Sequence, residues 1–162
     1  MDAVTALIRS VQNPYLTSLG NLIANPFVLF VLLIGLIVIF EKKNDIRIKI
    51  FASLTVAFVL SLVMKYLNTT TCSGSSWCLF DDSFPSTHAS LVFTLLLCFM
   101  NKKSFPIFVI FALVVSFVMV NIGAHTFPDI VGAIPVALVA YYLTNFVWAG
   151  LEKKGILAHT SN

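Results

Sequence analysis

Five apolar stretches, at 24–40, 50–67, 85–100, 105–122 and 128–148, dominate this chain, and together they hold two charged residues, Lys65 and Asp129. Each is close to the roughly 20 residues that a helix needs to cross the hydrocarbon core of a bilayer. Only 10% of the 162 residues are charged, against about 25% in a soluble domain, so the chain cannot cover a water-facing surface. The spacing predicts an all-α fold: a polytopic membrane helical bundle of about five transmembrane helices, forming one domain over 1–162. The net charge of +3 is small and clustered, and nothing resembles a basic, aromatic-laced nucleic-acid face. The first residues do not read as a secretory signal either.

Residues 1–23 read as amphipathic segments that precede a helical core over 24–150. Val4, Leu7, Ile8 and Val11 share one helical face, Asp2 is a candidate cap, and Asn13-Pro14 ends the pattern. Leu16, Leu19, Leu22 and Ile23 make a second short pattern. Neither is apolar enough to span, so both are expected in the interface or dipping partly inward. The plainer alternative is a first span that begins earlier.

The links between spans carry opposite characters. Lys42, Lys43, Arg47 and Lys49 fill the 41–49 link, Lys102 and Lys103 the 101–104 turn, and Lys153 and Lys154 the tail over 151–162. The 68–83 and 123–127 links hold no lysine or arginine. The positive-inside rule makes the basic side cytoplasmic and predicts an integral protein, in the plasma membrane, with the other two links on the extracytosolic face. No internal repeat of the kind that builds many transporters is visible.

Four chemistry-bearing residues from separate parts of the chain fall on that extracytosolic side. His125 and Asp129 stand four apart at the mouth of the fifth span. A carboxylate beside one ring nitrogen fixes the tautomer and leaves the other nitrogen as nucleophile or base. His88 follows Pro85-Ser86-Thr87 at the start of the third span, where N–H groups, hydroxyls and the helix dipole favour an anion. Lys65 is an ionisable residue inside an apolar run, a costly placement that often marks function. Plainer readings stand beside each: Asp129 and Ser86 as helix caps, His125 and His88 as incidental interfacial histidines, and Lys65 snorkelling to the surface.

The order and spacing of these residues resemble the type-2 phosphatidic acid phosphatase superfamily of membrane lipid phosphatases, whose pattern runs K-x6-R-P, then P-S-G-H, then S-R-x5-H-x3-D. The likeness covers nearly the whole chain and is nearest to small prokaryotic members acting on polyprenyl diphosphates. It implies that Lys65, Ser86 and Thr87 bind phosphate, with Thr87 where the pattern has glycine. It implies that His125 becomes a phosphohistidine, that Asp129 orients it, and that His88 is the acid. Gly123 also falls where members usually have glycine. The implied partners are the bilayer and a lipid phosphate (an isoprenoid diphosphate, phosphatidate or phosphatidylglycerol phosphate), with no metal or other cofactor; the oligomeric state is left open.

Two arginines of the pattern are absent. They fall at Cys72 and Met119, and their neighbours at Ser73 and Val118 also differ. Arg9 and Arg47 are the chain's arginines, and Arg47 belongs to the basic side. Asn121, one helical turn before His125, is a neutral candidate to help bind phosphate in their place. Two other classes stay open: a non-catalytic relative that binds phospholipid head groups, and, ranked last, a small transporter subunit, for which the span centres offer few polar residues. Cys72 and Cys78 share one link where oxidation is permitted, but spacing alone does not pair them. Cys98 is expected to pack within the third span, and Asp81-Asp82 reads as a solvated acidic turn.

Overall fold

The structure is a computed structural model that describes residues 2–11, 13–68 and 84–154. All regular structure among them is helical: α1 (Ala3–Ser10), α2 (Pro14–Ala24), α3 (Pro26–Phe40), α4 (Asn44–Asn68), α5 (Thr87–Cys98), α6 (Phe105–Asn121) and α7 (Phe127–Lys153). The expected helical membrane bundle is the observed architecture. Helices α5 and α7 pack on each other and on α4, while α1 and α2 lie against α6.

Each of the five apolar runs becomes a helix, but the lengths are redistributed. Helices α4 and α7 are long and apolar enough to cross a bilayer alone. Helices α2 and α3 meet that test only together, and they bend by 81° at their junction. Asn25 explains the bend. It ends α2, and its side chain accepts from the N–H groups of Phe27 and Val28 to start α3, with Pro26 in the first turn. The residue before a proline avoids helical torsions, so the chain breaks there. Residue 24, expected to open the first span, therefore closes α2.

Helices α5 and α6 are apolar but short, at 12 and 17 residues. Twelve residues rise about 18 Å, well below a full crossing. Helix α5 stops because Phe99 and Met100 turn back onto the carbonyls of Leu96 and Leu97. The Phe99 ring stacks on Phe108 of α6 at 4.0 Å between centroids, and Phe40 meets Phe108 edge-on. An apolar run does not reveal such a tight turn, because its residues suit a core as well as a span.

The basic link is shorter than expected. Helix α4 begins at Asn44, so Arg47 and Lys49 are helical. The Arg47 guanidinium folds back onto the end of α3, donating to the carbonyls of Glu41 (2.6 Å) and Val38 (3.0 Å). A cation there answers the unpaired carbonyls of a helix C-terminus. At the other end of the core, residues 151–153, read as tail, are the last turn of α7.

The N-terminal helices both form: α1 on the cap expected of Asp2, and α2 on Asn13, expected only to end the first pattern. Asp2 accepts from the Thr5 N–H at 2.8 Å, and Asn13 accepts from the Tyr15 N–H before Pro14. Their orientation is the surprise. Val4, Leu7 and Val11 point outward, with Leu7 69% exposed, while Thr5 is fully buried. Helix α2 likewise buries Gly20 and Ile23 and turns Leu19 and Leu22 out. The outward apolar rows join the belt formed by Phe27, Phe30, Ile110, Leu113 and Phe146, as expected of a surface that meets lipid.

Candidate functional site

The site is built around the turn between α6 and α7. Gly123 takes a positive φ of 85°, a conformation that glycine alone adopts without strain, and it ends α6. The chain then doubles back, and the His125 N–H donates to the Met119 carbonyl at 3.2 Å. This return tucks the imidazole inside, 4% exposed. Helix α7 starts at once, with Thr126 at its cap and Pro128 in its first turn. The Thr126 N–H and hydroxyl both donate to Asp129 Oδ2, each at 2.8 Å.

Asp129 thus serves as a cap and stands beside His125 as well. His125 Nδ1 lies 3.9 Å from the same Oδ2, too far for a hydrogen bond, and among the described residues Nδ1 has no other polar partner. Burial pushes the imidazole pKa down to about 4. The Lys65 charge pushes the same way, the Asp129 carboxylate opposes it, and His88 adds a further downward push. His125 is therefore neutral near pH 7, with a lone pair to offer.

Helix α5 brings the second group of residues. Gly132 lacks the Cβ that would run into the Phe84 ring, so Phe84 lies directly on α7. The Ser86 N–H then donates to the Asp129 carbonyl at 3.1 Å. These contacts tie the start of α5 to the first turn of α7. Ser86 is buried and caps α5: its Oγ accepts from the Ala89 N–H at 3.3 Å. His88 Nε2 lies 3.2 Å from the Ala24 carbonyl, at the bend between α2 and α3. A carbonyl only accepts, so this contact puts a proton on Nε2.

Lys65 belongs to the last turn of α4 and is fully buried. Snorkelling to the surface would leave its ammonium exposed; it turns inward instead, close enough for its charge to act on His125. Lys65, Ser86, His88, His125 and Asp129, drawn from three helices and a turn, therefore gather at one end of the bundle.

Helix α1 adds residues that sequence reasoning passed over. Arg9 Nε donates to the Val120 carbonyl at 3.3 Å, and its Nη2 donates to the carbonyls of Gly123 (3.2 Å) and His125 (3.3 Å). Thr5 Oγ1 donates to Asp2 and accepts from the Phe127 N–H at 2.9 Å. Helix α1 thereby holds the backbone on both sides of His125. The signal was the polar row Asp2, Thr5 and Arg9, opposite the apolar row.

Asn121 does not fill its expected role. Its amide nitrogen donates to the carbonyls of Ile8 (2.9 Å) and Val11 (2.7 Å). Both amide protons are thus spent on closing the end of α1, and none remains for a phosphate. Met119 and Val118, where the family pattern has arginine and serine, are buried, and Met119 packs in the apolar core. Cys72, Ser73, Cys78, Asp81 and Asp82 lie outside the described residues, as does the Cys72–Cys78 pairing question.

An apolar groove of about 260 Å³ runs between α3, α4 and α5. Leu29, Leu33, Leu54 and Phe58 are among its walls, and Thr87 and His88 stand where it meets the start of α5. Among the described residues, no three histidine, cysteine, aspartate or glutamate side chains are grouped to hold a metal ion.

No family model matches the chain, and no curated protein matches it in sequence. Among solved structures the chain is similar to Aquifex aeolicus LpxE, as seen in its crystal structure, with a TM-score of 0.66 and 19% identity over 88% of this chain and 92% of that one. At that identity the likeness is one of fold: this helical membrane bundle follows the same plan as LpxE.

Proposed function

We propose that the protein is an integral membrane lipid phosphatase of the type-2 phosphatidic acid phosphatase kind. The observation that carries this reading is the gathering of a neutral, buried His125 with Asp129, His88, Ser86 and a buried Lys65. The fold likeness to LpxE and the order of the three motifs support it. The apolar groove that ends at His88 suits one aliphatic chain of a lipid whose head group reaches the site.

His125 Nδ1 faces Asp129, which leaves Nε2 for phosphorus. The Nε2 lone pair forms the P–N bond as the P–O bond to the lipid breaks, and Asp129 stabilises the imidazolium. His88, entering as an imidazolium, keeps its Nε2–H on the Ala24 carbonyl and gives its Nδ1 proton to the departing oxygen. Neutral again, Nδ1 takes a proton from water. The resulting hydroxide attacks phosphorus, the P–N bond breaks, and His125 is restored. Lys65, the Ser86 hydroxyl and the Thr87 end of α5 stabilise the equatorial oxygens. The scheme needs no metal. The substrate is a lipid mono- or diphosphate of the isoprenoid diphosphate, phosphatidate or phosphatidylglycerol phosphate type, met at the extracytosolic face of the plasma membrane.

The test is phosphate release by the protein in nanodiscs on a panel of such lipids, with and without chelator, beside His125→Ala. Chelator-resistant release that falls by about 10³-fold or more in the variant is expected. A second reading is favoured by one observation, the burial of Met119 in apolar core where the pattern has an arginine. On that reading the protein binds phospholipid head groups without turnover. Analogue binding with no release from any lipid would select it.

A further inference from the structure

The break between α2 and α3 rearranges the backbone beside His88. In an unbroken helix the Ala24 carbonyl would accept from the N–H four residues on, at Val28. Here the Val28 N–H goes to Asn25 Oδ1 at 3.4 Å, and the Phe27 N–H goes to the same oxygen at 3.0 Å. Pro26, at the bend, has no N–H to give. The neighbouring carbonyls keep backbone donors: Leu22 accepts from the Asn25 N–H at 3.3 Å, and Asn25 from the Leu29 N–H at 3.1 Å. Asn25 thus takes from Ala24 its helical donor, and the Ala24 carbonyl meets His88 Nε2 instead, 3.2 Å away.

The consequence reaches the proton on His88. A neutral imidazole carries one proton, and the nitrogen that faces a carbonyl is the one that keeps it. Nε2 is then protonated through both halves of the proposed reaction, and Nδ1 is the nitrogen that exchanges its proton. His88 lies in the first turn of α5, and Pro26, Thr87 and His88 all line the apolar groove. The break therefore stands beside the path proposed for the lipid chain. Asn25 itself is exposed and adds nothing to the core; its contribution is the redirection of two N–H groups.

We propose that Asn25 is a positioning residue for the acid step. By capping α3 it releases the Ala24 carbonyl, which holds His88 with a proton on Nε2 and so dedicates Nδ1 to the departing oxygen. Asn25 acts through the Ala24 carbonyl and His88 in turn. The dedication of Nδ1 to a leaving oxygen rests on the phosphatase reading; the tautomer does not.

Two measurements on the full chain in nanodiscs test it. The first needs no turnover. With the histidine rings isotope-labelled, the chain's three histidines are read by nitrogen NMR at about pH 8.5, above the ordinary histidine range, and His88 is assigned by its loss in His88→Gln. The wild-type protein should show His88 as the Nε2–H tautomer. Asn25→Ala should give a mixture of tautomers, and Asn25→Asp, which keeps an acceptor for both N–H groups, should not. Asn25→Gly, a tolerated cap residue without a side-chain oxygen, should behave as Asn25→Ala and guards against a variant that fails to fold. The Nδ1–H tautomer in the wild type, or an unchanged tautomer in a folded Asn25→Ala or Asn25→Gly, overturns the proposal. The second measurement is kcat/KM on an alkyl lipid phosphate and on a para-nitrophenyl phosphate with an alkyl tail. An alkoxide needs a proton to leave, whereas nitrophenolate does not. Asn25→Ala should lower the alkyl value by about 10–100-fold and the aryl value by less than about threefold, with Asn25→Asp near the wild type on both. An equal loss on both esters makes the role of Asn25 structural only and overturns the proposal. If the wild-type protein hydrolyses neither ester, the phosphatase reading fails and takes the acid step with it, while the NMR result still decides whether Asn25 sets the tautomer.

Discussion

The two ends of the bundle treat their lysines in opposite ways. At the histidine end Lys65 is sealed in protein, close to His125. At the basic end Lys43, Lys49 and Lys102 surround an open cavity. A cation buried in an apolar helix is costly, and it is retained where charge develops nearby, because in a dry site its field is weakly screened and already oriented. Lysines around an open cavity cost less, because water and salt reach and screen them. Under the proposed function, the sealed end is the one arranged for chemistry.

Lys65→Met tests the sealed end most severely. It should lower kcat on a lipid phosphate by about 10²–10³-fold, the usual loss for one transition-state donor. The protein is expected to stay folded, because an apolar side chain of similar length removes the desolvation penalty of the buried charge, which offsets the loss to its partner. Full activity, or a protein that no longer folds, would break the comparison.

Arg9→Met asks whether the sealed end is held from outside. Its bonds to the carbonyls of Val120, Gly123 and His125 hold the backbone on both sides of His125. A loss of about 10–100-fold in kcat with little change in KM is expected, since small misplacements of a reacting group are costly. Arg9→Lys should recover part of it. A change confined to KM would mean that Arg9 meets the substrate instead.

Salt sharpens the difference between the ends. Acylation of Lys49 by an anionic amine reagent should slow severalfold between about 50 mM and 500 mM salt, as screening shortens from well over 10 Å to a few Å. Turnover at the histidine end should change less under the same titration, because its cation is buried.

The smallest effect is on stability. Unfolded, the His125 imidazole takes a proton near 6.5; folded, only near 4. Between those values the unfolded chain binds more protons, so acid favours unfolding. The contribution is complete above pH 6.5 and is lost as pH falls toward 4. His125→Gln should flatten that part of a melting-temperature profile, and an unchanged slope would refute the burial argument.

Much of this was legible beforehand. The apolar runs announced their helices, Asp2 announced the cap of α1, Asn13-Pro14 announced its end, and the topology put Lys65, Ser86, His88, His125 and Asp129 on one side. The misreadings have different causes. Asn121 was assigned by its distance in sequence from His125, yet its amide protons go to α1. Lys49 was read as part of a loop, yet it sits on a helical wall of the cavity. The partner of Asn121 belongs to an element remote in sequence, whereas Lys49 is helical because α4 begins locally, at Asn44.

Helix α1 draws the boundary most clearly. Its sequence determined that it would be a helix with an apolar row and a polar row, and the apolar runs determined that the chain would be a membrane bundle. Which row faces the protein was left to the tertiary structure. In water, burial sends the apolar row inward. In a bilayer, lipid accepts Val4, Leu7 and Val11 as readily as a core does, so hydropathy no longer separates inside from outside. The choice passes to polar groups that lipid cannot satisfy, and these point Thr5 and Arg9 at the exposed backbone of the turn that carries His125.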